Sequence, residues 1–195
     1  MAAIHSNVTS DYIEWDEMLR VVRRLYKDGK YRLSLLIGLG SFVGLRISDL
    51  RTLTWADLLD SDTFTLTEKK TGKKRTIKVN QQFRPHIEDC YNALGITCKQ
   101  QPCFISKKGT VFTTQRLNVL LKEVKKDYNM KVQHFSTHSL RKTFGRRVVE
   151  MAGDQAEMAL IKLSEIFNHS SVAVTKRYLG LRQKELEQCY DMLEF

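Results

Sequence analysis

Apolar residues recur at helical spacing at the start of the chain, alternate in a short middle stretch, and return to helical spacing for the remainder. Ile13, Trp15, Met18, Leu19, Val22, Leu25 and Tyr26 trace one face, which predicts an amphipathic helix over Ile13–Tyr26. A second helix is expected from about Tyr31 to Phe42, stopping near Gly44, a natural C-terminal breaker. The apolar run from Leu33 to Ile47 is interrupted by three glycines, Ser34, Ser41 and Arg46. A membrane-spanning helix needs ~20 apolar residues, so this run reads as a buried core helix. Ser48 can then start a short helix carrying Asp49 and Leu50.

In the middle stretch the period becomes two. Phe64 and Leu66 alternate with Thr63, Thr65 and Thr67, and after a Lys-Thr-Gly turn Ile77 and Val79 alternate with Thr76 and Lys78. That pattern predicts a β-hairpin with Gly72 at its tip. A further short strand is expected over Cys103–Ser106. Helical patterns fill the rest, at Gln82–Ala93, Thr114–Asp127, Ser139–Met151, Gln155–Phe167, Val172–Leu179 and Gln183–Leu193. No repeat, low-complexity tract or linker interrupts them. The expectation is one mostly α domain (class α+β) over residues 1–195, a helical bundle with a small antiparallel hairpin.

Composition sharpens this picture in one respect. Of 195 residues, 42% are hydrophobic and 28% charged, ordinary for a globular chain, but 32 basic residues against 22 acidic leave a net charge of +10. Such a surplus points to a polyanionic partner, nucleic acid above all. Cys90, Cys98, Cys103 and Cys189 form no Cys-x-x-Cys pair, so neither a zinc site nor a disulfide framework is expected. There is no carboxylate cluster suited to magnesium and no phosphate-binding Gly-x-x-x-x-Gly-Lys loop, so no metal or cofactor is expected. Gly38, Gly40 and Gly44 do not meet dinucleotide-motif spacing. Without a basic start and apolar core at the N-terminus, a soluble cytoplasmic protein is expected.

Four separated segments carry the candidate chemistry: Gly44-Leu45-Arg46-Ile47-Ser48-Asp49-Leu50, Lys70-Thr71-Gly72, His138-Ser139-Leu140-Arg141, and His169 followed nine residues later by Tyr178. On a helix His138 and Arg141 lie on one face about a turn apart, which suits two groups converging on one anion. At ~100° per residue, a continuous helix would put His169 and Tyr178 on nearly opposite faces. They converge only if the helix is reset between them. Asn168 and Ser170-Ser171 supply that break, with Ser170 or Ser171 able to cap the helix bearing Tyr178.

Taken in order, Gly-Leu-Arg, a hairpin lysine, His-x-x-Arg, His and then Tyr resemble the tyrosine recombinases, or phage integrases, from about Trp15 to the C-terminus. The resemblance implies the catalytic-domain fold of that family and assigns Arg46 and Arg141 as the phosphate-clamping pair. It makes Lys70 the hairpin lysine, His138 and His169 the two histidines, Tyr178 the nucleophile and Asp49 a supporting acid. Phe167-Asn168 stand where relatives often carry Leu-Gly, and Ser139 and Lys142 also depart from the commonest forms. Lys69, Lys73 and Lys74 crowd Lys70, leaving open which lysine is catalytic; with Arg75, these three are expected to touch the DNA backbone.

Those residue types fit phosphodiester transesterification. Two permanently cationic guanidinium forks, with His169 as a further donor, suit charge spread over non-bridging oxygens. A free phenol has a pKa of about 10, so a positive site and His138 as a base would help it ionise. Lys70 would protonate the departing 5′ oxygen. The product would be a 3′-phosphotyrosine that another 5′-hydroxyl can reclaim. Further implications are double-stranded DNA as partner and a homotetramer on two synapsed sites, with a monomer in isolation compatible. The segment Arg182–Phe195, acidic and amphipathic in pattern, would pack either on a neighbouring protomer or on its own core. The family's N-terminal core-binding domain is absent from this sequence, which implies a fragment of a longer integrase, or a minimal relative, that binds DNA weakly alone. Rival readings are a type IB topoisomerase and a non-catalytic DNA-binding module of the same fold.

Overall fold

The apolar run beginning at Leu33 becomes the central helix of the computed structural model, which describes residues 10–181. In chain order the elements are α1 (Trp15–Lys27), α2 (Tyr31–Val43), α3 (Ile47–Leu50), α4 (Trp55–Leu59), β1 (Thr63–Thr67), β2 (Lys74–Lys78), α5 (Arg84–Ala93), α6 (Thr114–Asp127), α7 (Thr137–Ala152), a single 3-10 turn (Gly153–Gln155), α8 (Ala156–Phe167) and α9 (Val172–Leu179). Every residue of α2 from Ser34 to Ser41 is buried, as expected of a helix apolar on all sides. It packs against α1, α5 and α7.

Glycine permits those close approaches. A Cβ at Gly40 would stand 2.8 Å from Cδ1 of Leu140, and one at Gly38 would lie 2.4 Å from Cζ of Phe83. Gly44 ends α2 at φ +61°, and a Cβ there would fall 2.3 Å from Cδ1 of Phe144 in α7. Gly44→Ala therefore combines left-handed strain with overpacking, and should lower stability by about 3 kcal/mol. Thermal melting measures it; a variant that melts with the parent would mean that the Phe144 ring gives way freely.

Two cores divide the molecule. The larger surrounds α2; the smaller gathers Leu160, Leu163, Phe167 and Leu179, with Phe144, Val148 and Tyr178 packed on it. Helix α7 serves both, through Leu140 in the first and Phe144 in the second, so Arg141 lies at the seam between them. The hairpin pairs antiparallel from Thr63↔Lys78 to Thr67↔Lys74. Phe64 and Ile77 are direct partners and both are buried, so one face of the ribbon docks while the lysines of the other face solvent.

Several boundaries differ from the expectations, each for a local reason. Helix α7 starts at Thr137 because Ser136 and Ser139 close a capping box around it. Arg84 and Pro85 open α5, and α8 waits for the 3-10 turn to end at Gln155. Helix α4 was not expected; a reciprocal Thr54–Asp57 capping box starts this five-residue element. The strand expected at Cys103–Ser106 does not form. Ile105 bridges Val111 and the preceding Pro102 bridges Thr54, both as isolated pairs, because the neighbouring segments are loops rather than a third strand. The helix expected at Gln183–Leu193 lies outside the described residues.

Candidate active site

The C-terminal end of α8 organises the site. Its last carbonyls have no partner within the helix and carry the negative end of its dipole. Three guanidinium groups supply what is missing. Arg46 donates from Nη2 to Phe167 O (2.8 Å), Arg141 from Nη2 to the same oxygen (2.9 Å), and Arg75 from Nη1 to Ile166 O (2.6 Å). The N-cap position before α3 presents Arg46, and α7 presents Arg141, whose Nη1 also donates to Gly44 O at 2.8 Å. Segments almost a hundred residues apart thus place two arginines on one carbonyl oxygen.

Asn168 then adopts a left-handed conformation (φ 49°) that ends α8, and Ser171 caps α9 by accepting from the Val174 amide. This resets the helix, as the His169–Tyr178 spacing requires. The two rings meet edge to face with centroids 5.3 Å apart, and Phe167 touches both, at 5.3 Å from His169 and 5.6 Å from Tyr178. The Arg141 cation stands 4.2 Å from the Phe167 ring centroid. Nδ1 of His169 lies 3.0 Å from Oγ1 of Thr175, a contact that fixes the ring plane.

Electrostatics follow from this crowding. Burial lowers Arg141 to about 10, with Arg46 and Arg75 pressing the same way and Tyr178 opposing; it remains a cation near neutrality. His169 is pushed down to about 4, chiefly by burial and then by Arg141, Arg46 and Lys70. His138 is lowered by the protein around it, then by Arg141 and Lys142, even though its ring reaches the surface. Tyr178 is raised: burial outweighs the pull of Arg141 and Arg46. The two arginines do favour the phenolate, but a half-buried phenol loses more solvation than two already hydrogen-bonded arginines return.

A stability prediction comes from His169. Above its ordinary value of 6.5 the imidazole is neutral whether the chain is folded or not. Below 6.5 the unfolded chain takes the proton first, so acidification through the window from 6.5 to about 4 favours unfolding. Melting temperature should fall across that window, and less steeply in His169→Asn; identical slopes would assign the acid sensitivity to other groups, His138 first.

Around the arginines the hairpin is anchored by carboxylates. Oδ1 of Asp49 accepts from the Lys69 amide at 3.0 Å. Glu68, only 3% exposed, accepts from Arg46 Nη1 and from Thr71 Oγ1, both at 2.8 Å, and lies 3.6 Å from Arg75. Its carboxyl stays below its ordinary pKa although burial pushes it up, because Thr71, Arg46 and Arg75 together outweigh that push. Lys69, Lys70, Lys73 and Lys74 are exposed; Lys73 reaches Asn168 Oδ1 at 3.2 Å. Lys70 makes no side-chain hydrogen bond among the described residues and stands near enough to act on His169. Arg75 turns inward, away from the surface the lysines share.

The arrangement gathers Arg46, Arg141, His169 and Tyr178 directly, sets Lys70 beside them, and leaves His138 coupled to Arg141 across one helical turn. Sequence reasoning missed Glu68 and the role of Lys142 as a neighbour of the phenol. The hairpin offers a signal for the first, since Glu68 is the one acid among Lys69, Lys70, Lys73, Lys74, Arg75 and Lys78. Lys142 is buried with Nζ 5.4 Å from the Tyr178 ring centroid, which no spacing argument reaches.

Comparison with known proteins bears on this geometry. The sequence pattern of the phage integrase family matches residues 12–185. The probable integrase/recombinase YoeC of Bacillus subtilis is 28% identical over 176 residues, 89% of this chain and 91% of that protein. Tyrosine recombinase XerC of Xanthomonas campestris is 29% identical over 149 residues, 76% of this chain but only 44% of its own length. Among solved structures, XerA recombinase superposes with a TM-score of 0.70 at 19% identity, covering 100% of this chain and 68% of that one. A lambda integrase dimer bound to a COC′ core site gives 0.65 at 17% identity, covering 93% and 51%. At such identities these likenesses show the fold, which is that of a tyrosine recombinase catalytic domain.

Proposed function

The chain belongs to the phage integrase family, and from that premise we propose that it cuts and rejoins double-stranded DNA at specific sites through a 3′-phosphotyrosine intermediate. The observation that carries the reading is the meeting of Arg46 and Arg141 on the Phe167 carbonyl, with Tyr178 packed against the same residue's ring. A scissile phosphate takes the guanidinium N–H groups that the protein leaves free, and His169 adds a donor at the same oxygens. The Tyr178 oxygen attacks phosphorus, and its proton passes to a base, for which neutral His138 is the candidate. The P–O5′ bond breaks with its electrons on O5′, and the Lys70 ammonium delivers the proton that makes the 5′-hydroxyl. Asp49 supports the step by holding the amide next to Lys70.

Exposed Lys69, Lys73 and Lys74 supply sequence-independent contacts to the DNA backbone. The turned-in Arg75 belongs with the arginine cluster instead. Acting on the DNA of a mobile element, the domain works at the nucleoid. Tetramers on synapsed sites agree with Met158, Ile161 and Val174 being exposed on α8 and α9, apolar surface that a second copy would cover. Sedimentation on paired sites measures that assembly.

Incubating the chain with a nicked duplex, which lets the short 5′ product escape, tests the chemistry. A covalent protein–DNA adduct should accumulate, and peptide mapping should place the phosphate on Tyr178. Exchange of flanks between two sites identifies a recombinase, whereas relaxation of a supercoiled circle without exchange would establish the topoisomerase reading. Tight DNA binding with no adduct would establish the non-catalytic one.

A further inference from the structure

We propose that Glu68 is a positioning residue whose buried carboxylate ties the turn carrying Lys70 to Arg46, and so sets the proton donor at a fixed place relative to the phosphate clamp. The inference rests on the roles given above to Arg46 and Lys70.

The turn closes on Glu68 twice through the main chain: its amide donates to Lys73 O at 3.0 Å and its carbonyl accepts from Gly72 N at 2.8 Å. Side chains add a second layer. One carboxylate oxygen, Oε2, receives both the Thr71 hydroxyl and Arg46 Nη1, each at 2.8 Å. A single atom therefore links the residue after Lys70 to an arginine of the clamp. On the other side of Lys70, the Lys69 amide is held by Asp49. Lys70 is flanked by two buried carboxylate anchors while its own side chain is left to the surface.

A carboxylate sealed at 3% exposure is costly unless fully paired, and a hairpin needs none to form its turn. A simple counter-ion for Arg46 and Arg75 would not require the hydroxyl of Thr71 on the same oxygen. The Thr71 bond makes the anchor reach the donor's segment.

The bond that breaks gives the test. With oxygen as leaving atom, P–O5′ cleavage needs the Lys70 proton; with sulfur at the 5′-bridging position, the thiolate departs without one. Adduct formation by the full chain is timed on nicked duplexes carrying each leaving atom, for the parent, K70A, E68A and T71V. T71V removes the strut, together with the longer 3.4 Å bond that the Lys73 amide donates to the same hydroxyl, and leaves the Glu68–Arg46 pair in place, which keeps the question answerable should E68A fold poorly. Losing general-acid positioning should slow T71V by about tenfold or more and K70A by about a hundredfold or more on the oxygen substrate, within the range that proton transfer contributes. On the sulfur substrate both should return close to the parent, with the DNA affinity of T71V unchanged. Equal slowing of T71V on both leaving atoms, or parental speed on oxygen, overturns the role assigned to Glu68. If the parent forms no adduct on either substrate, the transesterification reading itself fails and this inference falls with it.

Discussion

Phenylalanine at position 178 should give a chain that folds, binds DNA and forms no covalent adduct at all. The substitution removes one oxygen and keeps the ring, and the ring is what the fold uses: it meets Phe167 and His169 edge to face at 5.6 and 5.3 Å. The hydroxyl is buried and makes no hydrogen bond among the described residues. Its loss breaks no hydrogen bond among the described residues and should leave stability within about 1 kcal/mol of the parent, or raise it. Chemistry is lost entirely because, among the described residues, no second phenol packs against Phe167 and His169. The raised pKa of Tyr178 adds that the free protein holds a protonated, unreactive phenol near neutrality, so ionisation has to accompany the docking of the phosphate. Denaturing gels for the adduct, anisotropy for DNA affinity and a melting curve check the three parts separately. An adduct persisting in Tyr178→Phe would move the nucleophile to another residue and dissolve the meaning given to the His169–Tyr178 reset.

That reset shows where sequence reasoning reached the site. The nine-residue interval is incompatible with one helix, and Asn168 and Ser171 break and restart the chain where their capping chemistry allows. The central helix, the hairpin and its glycine tip were legible for the same reason: each is dictated by a local pattern. What was illegible depends on distant atoms. Nothing near Arg75 says that it turns inward to Ile166 O, because its acceptor is supplied by the end of a helix about ninety residues later. Glu68 stands out in the sequence as the one acid among the hairpin's bases, but what it does shows only once Arg46 and Thr71 are seen on the same oxygen. Cys103–Ser106 has the composition of a strand but no partner to pair with, and a strand is a property of two segments. The exchange of Leu-Gly for Phe167-Asn168 likewise finds its reason in space: the phenyl ring fills the smaller core and receives the Arg141 cation, while Asn168 tolerates the left-handed turn.

Arg141→Lys should be the most damaging conservative change in the chain, lowering the rate of adduct formation by about a thousandfold, the scale of losing one preorganised transition-state donor. The two residues share a charge but not a shape. Arginine at this seam donates from Nη1 to Gly44 O and from Nη2 to Phe167 O and still has N–H groups for a phosphate. One ammonium cannot span both carbonyls and a third acceptor. Burial already draws Arg141 down to about 10, and lysine starts lower, so the same surroundings would favour its neutral amine and remove the charge itself. The fold should suffer less, since leaving one buried carbonyl short of a donor costs about 1–3 kcal/mol, below the stability of an ordinary domain. Arg46→Lys offers the internal comparison: Arg46 is 20% exposed, so water can replace the lost contacts and its melting temperature should move less than that of Arg141→Lys while cleavage falls comparably. Cleavage by Arg141→Lys within tenfold of the parent would mean that the phosphate is held elsewhere. The meeting of the two arginines on Phe167 O would then be a way of closing the end of α8, with no part in catalysis.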